Sequence, residues 1–177
     1  RYTSKQKVNT ELTRKTTQID NSLAYAKRIQ SSLLPSKYSL VNSFDESFIL
    51  FRPRDVVSGD FYWISEKQDK TVVVVGDCTG HGIPGAFLSI IGYTLLNEII
   101  NHNDVLSPKE ILHQLNEAFI VTLGQTNMNL ETQEDGLDIS VCLYDKNAGE
   151  LVISCANQYA LIVENGKPQM VSGSPYS

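Results

Sequence analysis

Two aspartates beside glycine, each at the edge of an apolar run, are the residues best placed to do chemistry in this chain. Asp60 lies in Val56-Val57-Ser58-Gly59-Asp60-Phe61-Tyr62-Trp63. Asp77 closes Val72-Val73-Val74-Val75-Gly76-Asp77 and opens the loop Cys78-Thr79-Gly80-His81-Gly82-Ile83-Pro84-Gly85. Valine-rich runs of this length, bounded by glycine and polar residues, read as buried strands. A carboxylate at the lip of such a strand is costly to desolvate unless something positive meets it. Two of them, on strands joined by a short connection, can converge on one hard divalent cation, because Mg²⁺ and Mn²⁺ prefer carboxylate oxygens and retained waters. The plainer alternative is that Asp77 caps a turn and Asp60 pairs with Arg52 or Arg54.

The elements that would position these residues follow from periodicity. Residues from about 5 to 34 contain no Gly or Pro, and apolar side chains recur at Val8, Leu12, Ile19, Leu23, Ala26, Ile29 and Leu33. Steps of three and four predict an amphipathic helix, ended by Pro35. Its stripe is thin, since Lys15 and Ser22 fall where a coiled coil would place apolar residues. At that length it calls for a partner, either a second copy or an upstream domain. Strands are expected at Phe48–Phe51, Phe61–Ile64 and Thr71–Val75, with Glu66–Lys70 as the hairpin connection. Pro84 suits the first turn of an almost wholly apolar helix running to Ile100. Ser107 and Pro108 start another helix, with Ile111, Leu112, Leu115, Ala118, Phe119 and Leu123 as its buried face. A polar loop is expected from Gly124 to Asp135, then strands at Ile139–Tyr144, Leu151–Ser154 and Ala160–Val163. Strands, two helices, then strands again favour an α+β fold with mainly antiparallel sheets.

Charge is divided unevenly. Residues 1–37 carry eight Lys/Arg against Glu11 and Asp20, whereas the remainder has seven basic and eighteen acidic residues. An acidic body of this kind repels nucleic acid and helps concentrate divalent cations. Cys78, Cys142 and Cys155 are too few and too scattered for a disulfide framework, which suits a reducing, cytoplasmic compartment. The apolar stretch from Ile83 to Ile100 is broken by Pro84, Ser89, Asn97 and Glu98, so it reads as a core helix rather than a membrane span. The chain opens on Arg1 rather than Met, as a piece of a longer protein would.

Several chemistries have no residues to carry them. No cysteine is followed by arginine at the spacing of a cysteine-based phosphatase, and no P-loop or Gly-x-Ser-x-Gly elbow occurs. His81, His102 and His113 lack zinc-ligand spacing. Carboxylate-held metal chemistry is what remains.

At this point the residues carry a resemblance. Ser58-Gly59-Asp60-Phe61-Tyr62-Trp63, Gly76-Asp77-Cys78-Thr79-Gly80-His81-Gly82-Ile83-Pro84-Gly85-Ala86-Phe87 and Asp135-Gly136-Leu137-Asp138 resemble the SpoIIE/RsbU-type branch of the metal-dependent, type 2C-like protein phosphatases. Tyr25-Ala26-Lys27-Arg28-Ile29-Gln30 with Leu34-Pro35 is similar to the linker helix that precedes such domains. The resemblance implies residues 1–36 as a linker and dimerisation helix and 37–177 as a phosphatase domain, an antiparallel β-sandwich flanked by helices (αββα). It implies a centre of two Mn²⁺ or Mg²⁺ ions and hydrolysis of phosphoserine or phosphothreonine on a bacterial regulatory protein. Asp77 matches the family's bridging ligand, Asp60 the carboxylate on the preceding strand, and the backbone carbonyl of Cys78 a further ligand. Both aspartates would then act in catalysis through a water held between the cations. Arg52 or Arg54 could orient phosphate, or could pair with Asp55 instead. His81 is a candidate proton donor, unless Gly80-His81-Gly82 is simply a tight turn with a locally bonded imidazole. Asp135 or Asp138 is a candidate ligand for a third ion, with loop capping as the alternative.

The chain ends before the later Asp-Gly motif from which the family draws another metal ligand. Weak or absent activity is therefore expected of these 177 residues alone. The partners implied are a phosphorylated regulatory protein, an upstream sensor and a second copy bound through the helix, with no nucleic acid and no membrane insertion. Two other readings remain, a non-catalytic dimeric interaction module and a two-metal nucleotidyl cyclase-like enzyme.

Overall fold

A computed structural model of the chain describes residues 2–35, 43–125 and 135–173. The first element, α1 (Tyr2–Leu33), is one uninterrupted helix, as the absence of Gly and Pro allows. It is rich in hydroxyl side chains, and Thr10, Thr13, Thr16, Thr17 and Ser22 each donate to the carbonyl four residues earlier. That satisfies the hydroxyls locally, without a tertiary partner. Among the described residues, α1 meets the body from about its middle to its C-terminal end. There Leu34 packs at the edge of the core and Gln30 is buried, while Val8, Leu12 and Ile19 stay about 60% exposed on one stripe.

The body is built on a hairpin, β1 (Asp60–Lys67) and β2 (Lys70–Cys78), closed by Gln68-Asp69 with Gln68 at positive φ. Strands β3 (Leu137–Asp145) and β4 (Glu150–Ala156) extend it into a four-stranded antiparallel sheet in the order β1-β2-β3-β4. A second antiparallel pair, β5 (Tyr159–Glu164) and β6 (Lys167–Ser172), follows. The fold is α+β with antiparallel sheets, as the sequence led us to expect. Strand β6 was not foreseen, because Lys167 to Ser172 carries little apolar alternation.

Helices α2 (Gly82–Leu96) and α3 (Pro108–Thr122) cover one face of the four-stranded sheet. Phe61, Trp63, Val72, Val74 and Val141 from the strands meet Leu96, Ile100, Ile111, Leu115 and Phe119 from the helices in one core. Because successive strand residues point to opposite faces, the residues between these, Tyr62, Val73 and Val75, lie on the face away from the helices. Helix α2 begins two residues earlier than expected, at Gly82, with Pro84 inside its first turn, and continues through a π-helical segment, Asn97–His102. Together these 21 residues are long and apolar enough to cross a membrane. Here they form the central core helix, with Gly85, Ala86, Leu88, Leu96, Ile99 and Ile100 all buried.

Two expectations need correction or fall outside view. Phe48–Phe51 is not a strand: no neighbouring strand offers it a ladder, Phe48 is 91% exposed, and Phe51 stacks edge-on against Tyr62. Ser107 precedes α3 as expected, yet its hydroxyl makes no capping bond and only its carbonyl accepts, from Ile111 N–H. Of the expected loop from Gly124 to Asp135, residues 126–134 lie outside the described residues.

The contact between α1 and the body is polar and specific. Gln30 Oε1 accepts from Ser58 N–H at 3.0 Å, and Gln30 Nε2 donates to Ser58 O at 2.6 Å and to Ser89 Oγ at 2.8 Å. One side chain thus satisfies both backbone groups of a buried residue, two positions before Asp60. Gln30→Ala leaves that pair unsatisfied, and we expect a loss of about 2 kcal/mol in a denaturant melt. A change below a few tenths of a kcal/mol would show that the clamp is not formed in solution.

Candidate functional site

Register builds the site. In the β1–β2 ladder Asp60 lies opposite Asp77, and in the β2–β3 ladder Asp77 lies opposite Asp138. Three aspartates therefore stand side by side at one end of the sheet, on the face turned away from the helices. Asp77 takes the strain of this arrangement. Although open to solvent on one side, its carboxyl is pushed up to about 6, first by partial burial, then by the hydrogen bond and charge of Asp60, then by the charge of Asp138. Asp60 does not pair with Arg52 or Arg54, and no ion pair involves either arginine among the described residues.

Asp138 is the less available carboxylate. Asn157 Nδ2 donates to its Oδ1 at 2.7 Å, and Gln158 Nε2 donates to its backbone oxygen at 3.0 Å. Asp135 is placed differently. It accepts from Thr79 Oγ1 at 3.4 Å, and the same hydroxyl accepts from Gly136 N–H at 3.0 Å. Asp135 thus helps fasten the Asp77 loop to the start of β3, as a loop-capping residue would, while Asp138 joins the row.

The loop after Asp77 is held on both sides. Cys78 N–H donates to Gly59 O, and Thr79 N–H donates to Gly136 O at 3.0 Å. Three backbone segments cross where Gly59, Gly80 and Gly85 meet. A Cβ on Gly59 would come within 3.0 Å of the carbonyl oxygens of Cys78 and Gly80, and one on Gly85 within 2.7 Å of Gly80 O. Only glycine allows this approach, which brings the Cys78 carbonyl against the residue preceding Asp60. The Cys78 thiol is buried and pushed up to about 12, by burial first and then by Asp77 and Asp60. It is a packed side chain, not a nucleophile.

Arg52 lines the same open cleft, about 440 Å³ in volume, as Asp60, Asp77, Phe51, Tyr62 and Gln158; Arg54 does not. His81 stands just before α2 in the position of its N-cap, with no capping bond from its side chain. Its Nδ1 instead lies 2.9 Å from Asp55 Oδ2. The expected pairing of Asp55 with Arg52 or Arg54 is therefore corrected: its partner is His81.

The donor set suits a hydrated divalent cation. No group of three or more His, Cys, Asp or Glu side chains is placed to hold a metal among the described residues. Mg²⁺, however, is held through one or two carboxylates with several waters kept, and Asp60 and Asp77 supply that number. Their mutual repulsion, with no ion pair to either among the described residues, is the condition a divalent ion relieves.

The family model described as Stage II sporulation protein E (SpoIIE) matches residues 67–174, more than half of the chain. The chain belongs to the SpoIIE family. Among solved structures, the SiaA-PP2C domain of Pseudomonas aeruginosa is 28% identical with a TM-score of 0.78, the match covering 91% of this chain and 63% of that one. A structure of the RsbU and RsbW domains of a Mycobacterium tuberculosis protein is 21% identical with a TM-score of 0.53, over 70% of this chain and 32% of that one, a likeness of fold. No curated protein matches the chain. Family and fold are those of PP2C-type signalling phosphatase domains.

Three features of this SpoIIE-family site escaped the sequence reading. Gln30 could have been found as a long polar residue at stripe spacing, four after Ala26 and three before Leu33. Asn157 adopts a positive φ of 53°, the kind of turn that Asn tolerates, and so brings its amide to Asp138. The Asp55–His81 contact joins residues 26 apart and left no local signal.

The raised Asp77 carboxyl has a consequence for stability with a definite sign. Its folded value of about 6 lies above the ordinary 3.8, so the folded state binds a proton that the unfolded chain does not hold between those values. The related stability is complete below the lower value and is lost as pH rises through the upper one. Asp77→Asn mimics the protonated form. We expect it to raise the melting temperature of the metal-free protein at pH 7.5, with the gain vanishing towards pH 4. A variant that melts lower than the unaltered protein at pH 7.5 would contradict the carboxylate pairing.

Proposed function

We propose that this SpoIIE-family domain hydrolyses phosphoserine or phosphothreonine on a bacterial regulatory protein, in a reaction that depends on Mn²⁺ or Mg²⁺. The observation that supports it is the placement of Asp60 opposite Asp77 in a cleft also lined by Arg52. Asp60 and Asp77 would hold a cation together with the carbonyl of Cys78, and Asp138 is the carboxylate nearest in register for a further ion. A bound divalent ion would supply Lewis acidity towards phosphate and acidify water.

The protein's own groups have separate tasks. Arg52, which makes no ion pair among the described residues, can take two phosphate oxygens in a bidentate contact. Gln30, through Ser58, fixes the loop that carries Asp60. Phe51 and Tyr62 form an apolar wall of the cleft, against which the backbone of a substrate segment can lie. The exposed stripe of Val8, Leu12 and Ile19 supports dimerisation through α1. Because the chain spans 63% of the SiaA-PP2C structure it matches, activity is assigned to the full-length protein.

A non-catalytic interaction module is the second reading, and it draws on the absence, among the described residues, of a group of three or more His, Cys, Asp or Glu side chains placed to hold a metal. The two separate on one assay, phosphate release from a phosphoserine peptide by the full-length protein with and without Mn²⁺. We expect release to require Mn²⁺ and to fall by at least about a hundredfold on Asp60→Asn or Asp77→Asn. Arg52→Ala is expected to raise KM more than it lowers kcat. Release that persists in chelator, or that is indifferent to both aspartates, would refute the proposal.

A further inference from the structure

The two-residue connection between β4 and β5 grips Asp138 at two points. Asn157 Nδ2 donates to its Oδ1 at 2.7 Å, and Gln158 Nε2 donates to its backbone oxygen at 3.0 Å. Gln158 is itself fixed from two sides. Its Oε1 accepts from Ser140 Oγ at 2.9 Å, and its carbonyl accepts from Gly173 N–H at 2.9 Å. Fastening of β3 to this connection is thus already supplied by Gln158. Asn157 adds something else. It stands at a φ of 53°, where a glycine would make the same turn with less strain, and its side chain is exposed and outside the core. What glycine would lack is the amide. That amide is a neutral donor, so it fixes the direction of the Asp138 carboxylate without cancelling its charge, as a lysine or arginine would. The charge still reaches Asp77, directly opposite in the ladder. Asp138 Oδ2 takes no hydrogen bond or ion pair among the described residues.

We propose, on the metal-dependent reading above, that Asn157 is the positioning residue that makes Asp138 a ligand for the further divalent ion. Its amide occupies Oδ1 and leaves Oδ2 as the oxygen that binds. A freely rotating carboxylate must give up that freedom when it takes an ion, whereas one already held by a hydrogen bond has given it up in advance. Hydrogen bonds of this kind to metal ligands are typically worth roughly ten- to a hundredfold in metal affinity. The ion held by Asp60 and Asp77 does not depend on this amide, because Asn157 touches neither of them. Asn157 therefore sets the affinity of one ion and not of the other.

That selectivity supplies the test. Calorimetric titration of the metal-free full-length protein with Mn²⁺ at pH 7.5 should resolve a tighter and a weaker ion. Asn157→Gly is expected to weaken the weaker ion at least about tenfold and to leave the tighter one within about threefold. The melting temperature of the metal-free variant should stay within about 3 °C of the unaltered protein. Its hydrolysis of a phosphoserine peptide should need roughly tenfold more Mn²⁺ for half the maximal rate, and return to within about threefold of the unaltered rate at saturating Mn²⁺. In an Asp138→Asn background, Asn157→Gly should change neither the Mn²⁺ affinity nor the Mn²⁺ requirement further. Unchanged binding of the weaker ion in Asn157→Gly would overturn the proposal, as would equal weakening of both ions or a large fall in melting temperature, which mark a structural role. A single Mn²⁺ in the unaltered protein would also overturn it, while leaving the metal-dependent reading intact. Absence of any bound Mn²⁺ would sink that reading and the positioning role together.

Discussion

Two carboxylates are held face to face by a hairpin whose register they do nothing to set. The two-residue connection at Gln68-Asp69 and the apolar pairs on the helix side, Phe61 opposite Gly76 and Trp63 opposite Val74, determine which residues meet. A slip of one residue would turn every one of these side chains to the wrong face. Asp60 and Asp77 are carried along to the far end of the ladder, where like charges directly opposite each other destabilise the sheet. Burial of Trp63, Val74 and Val141 on the other face is large enough to enforce that position. The domain thus keeps a local electrostatic fault at one end of an otherwise ordinary sheet, and a divalent cation is the ligand that would relieve it.

The surroundings keep the fault from relaxing. If the loops were loose, the two carboxylates would simply rotate apart into water. Glycine at positions 59 and 85 lets the backbone pack against the Gly80 carbonyl at distances no side chain would tolerate, and hydrogen bonds to the carbonyls of Gly59 and Gly136 fasten the Asp77 loop on both sides. Gln30 adds a connection of another kind. It reaches from a helix that is otherwise largely exposed and holds the residue two before Asp60. Any displacement of α1 must break three hydrogen bonds at a buried position next to the site, so the position of the helix and the shape of the Asp60 loop are mechanically coupled.

How much of this was legible in the residues depended on the range of the interaction. Local patterns gave the long helix, the two central strands, both core helices and the α+β class, because each is written in a period of 3.6 or 2. The aspartates were visible as well, since a charged residue at the end of a valine run conflicts with its surroundings. Asp55 with His81, Asn157 with Asp138 and Gln30 with Ser58 were not, because each joins segments whose meeting is decided by packing elsewhere. Phe48–Phe51 misled for a related reason. Four apolar residues in sequence suit a strand, yet a strand exists only where a neighbour supplies hydrogen bonds, and none is paired with it here. The choice between Asp135 and Asp138 likewise required the register, which placed Asp138 beside Asp77 and left Asp135 to fasten a loop.

The account turns on whether the facing carboxylates are a cation site, and calorimetric titration with Mn²⁺ between pH 5 and pH 7.5 addresses that most directly. A ligand must be deprotonated to bind, so a carboxyl that titrates near 6 in the free protein must lose its proton to the metal. The predicted result is an affinity that rises with pH up to about 6 and then levels. Near pH 5.5 the heat should vary with the buffer's ionisation enthalpy, showing a proton released. Absence of Mn²⁺ binding, or binding of equal strength across the whole range with no proton released, would contradict it.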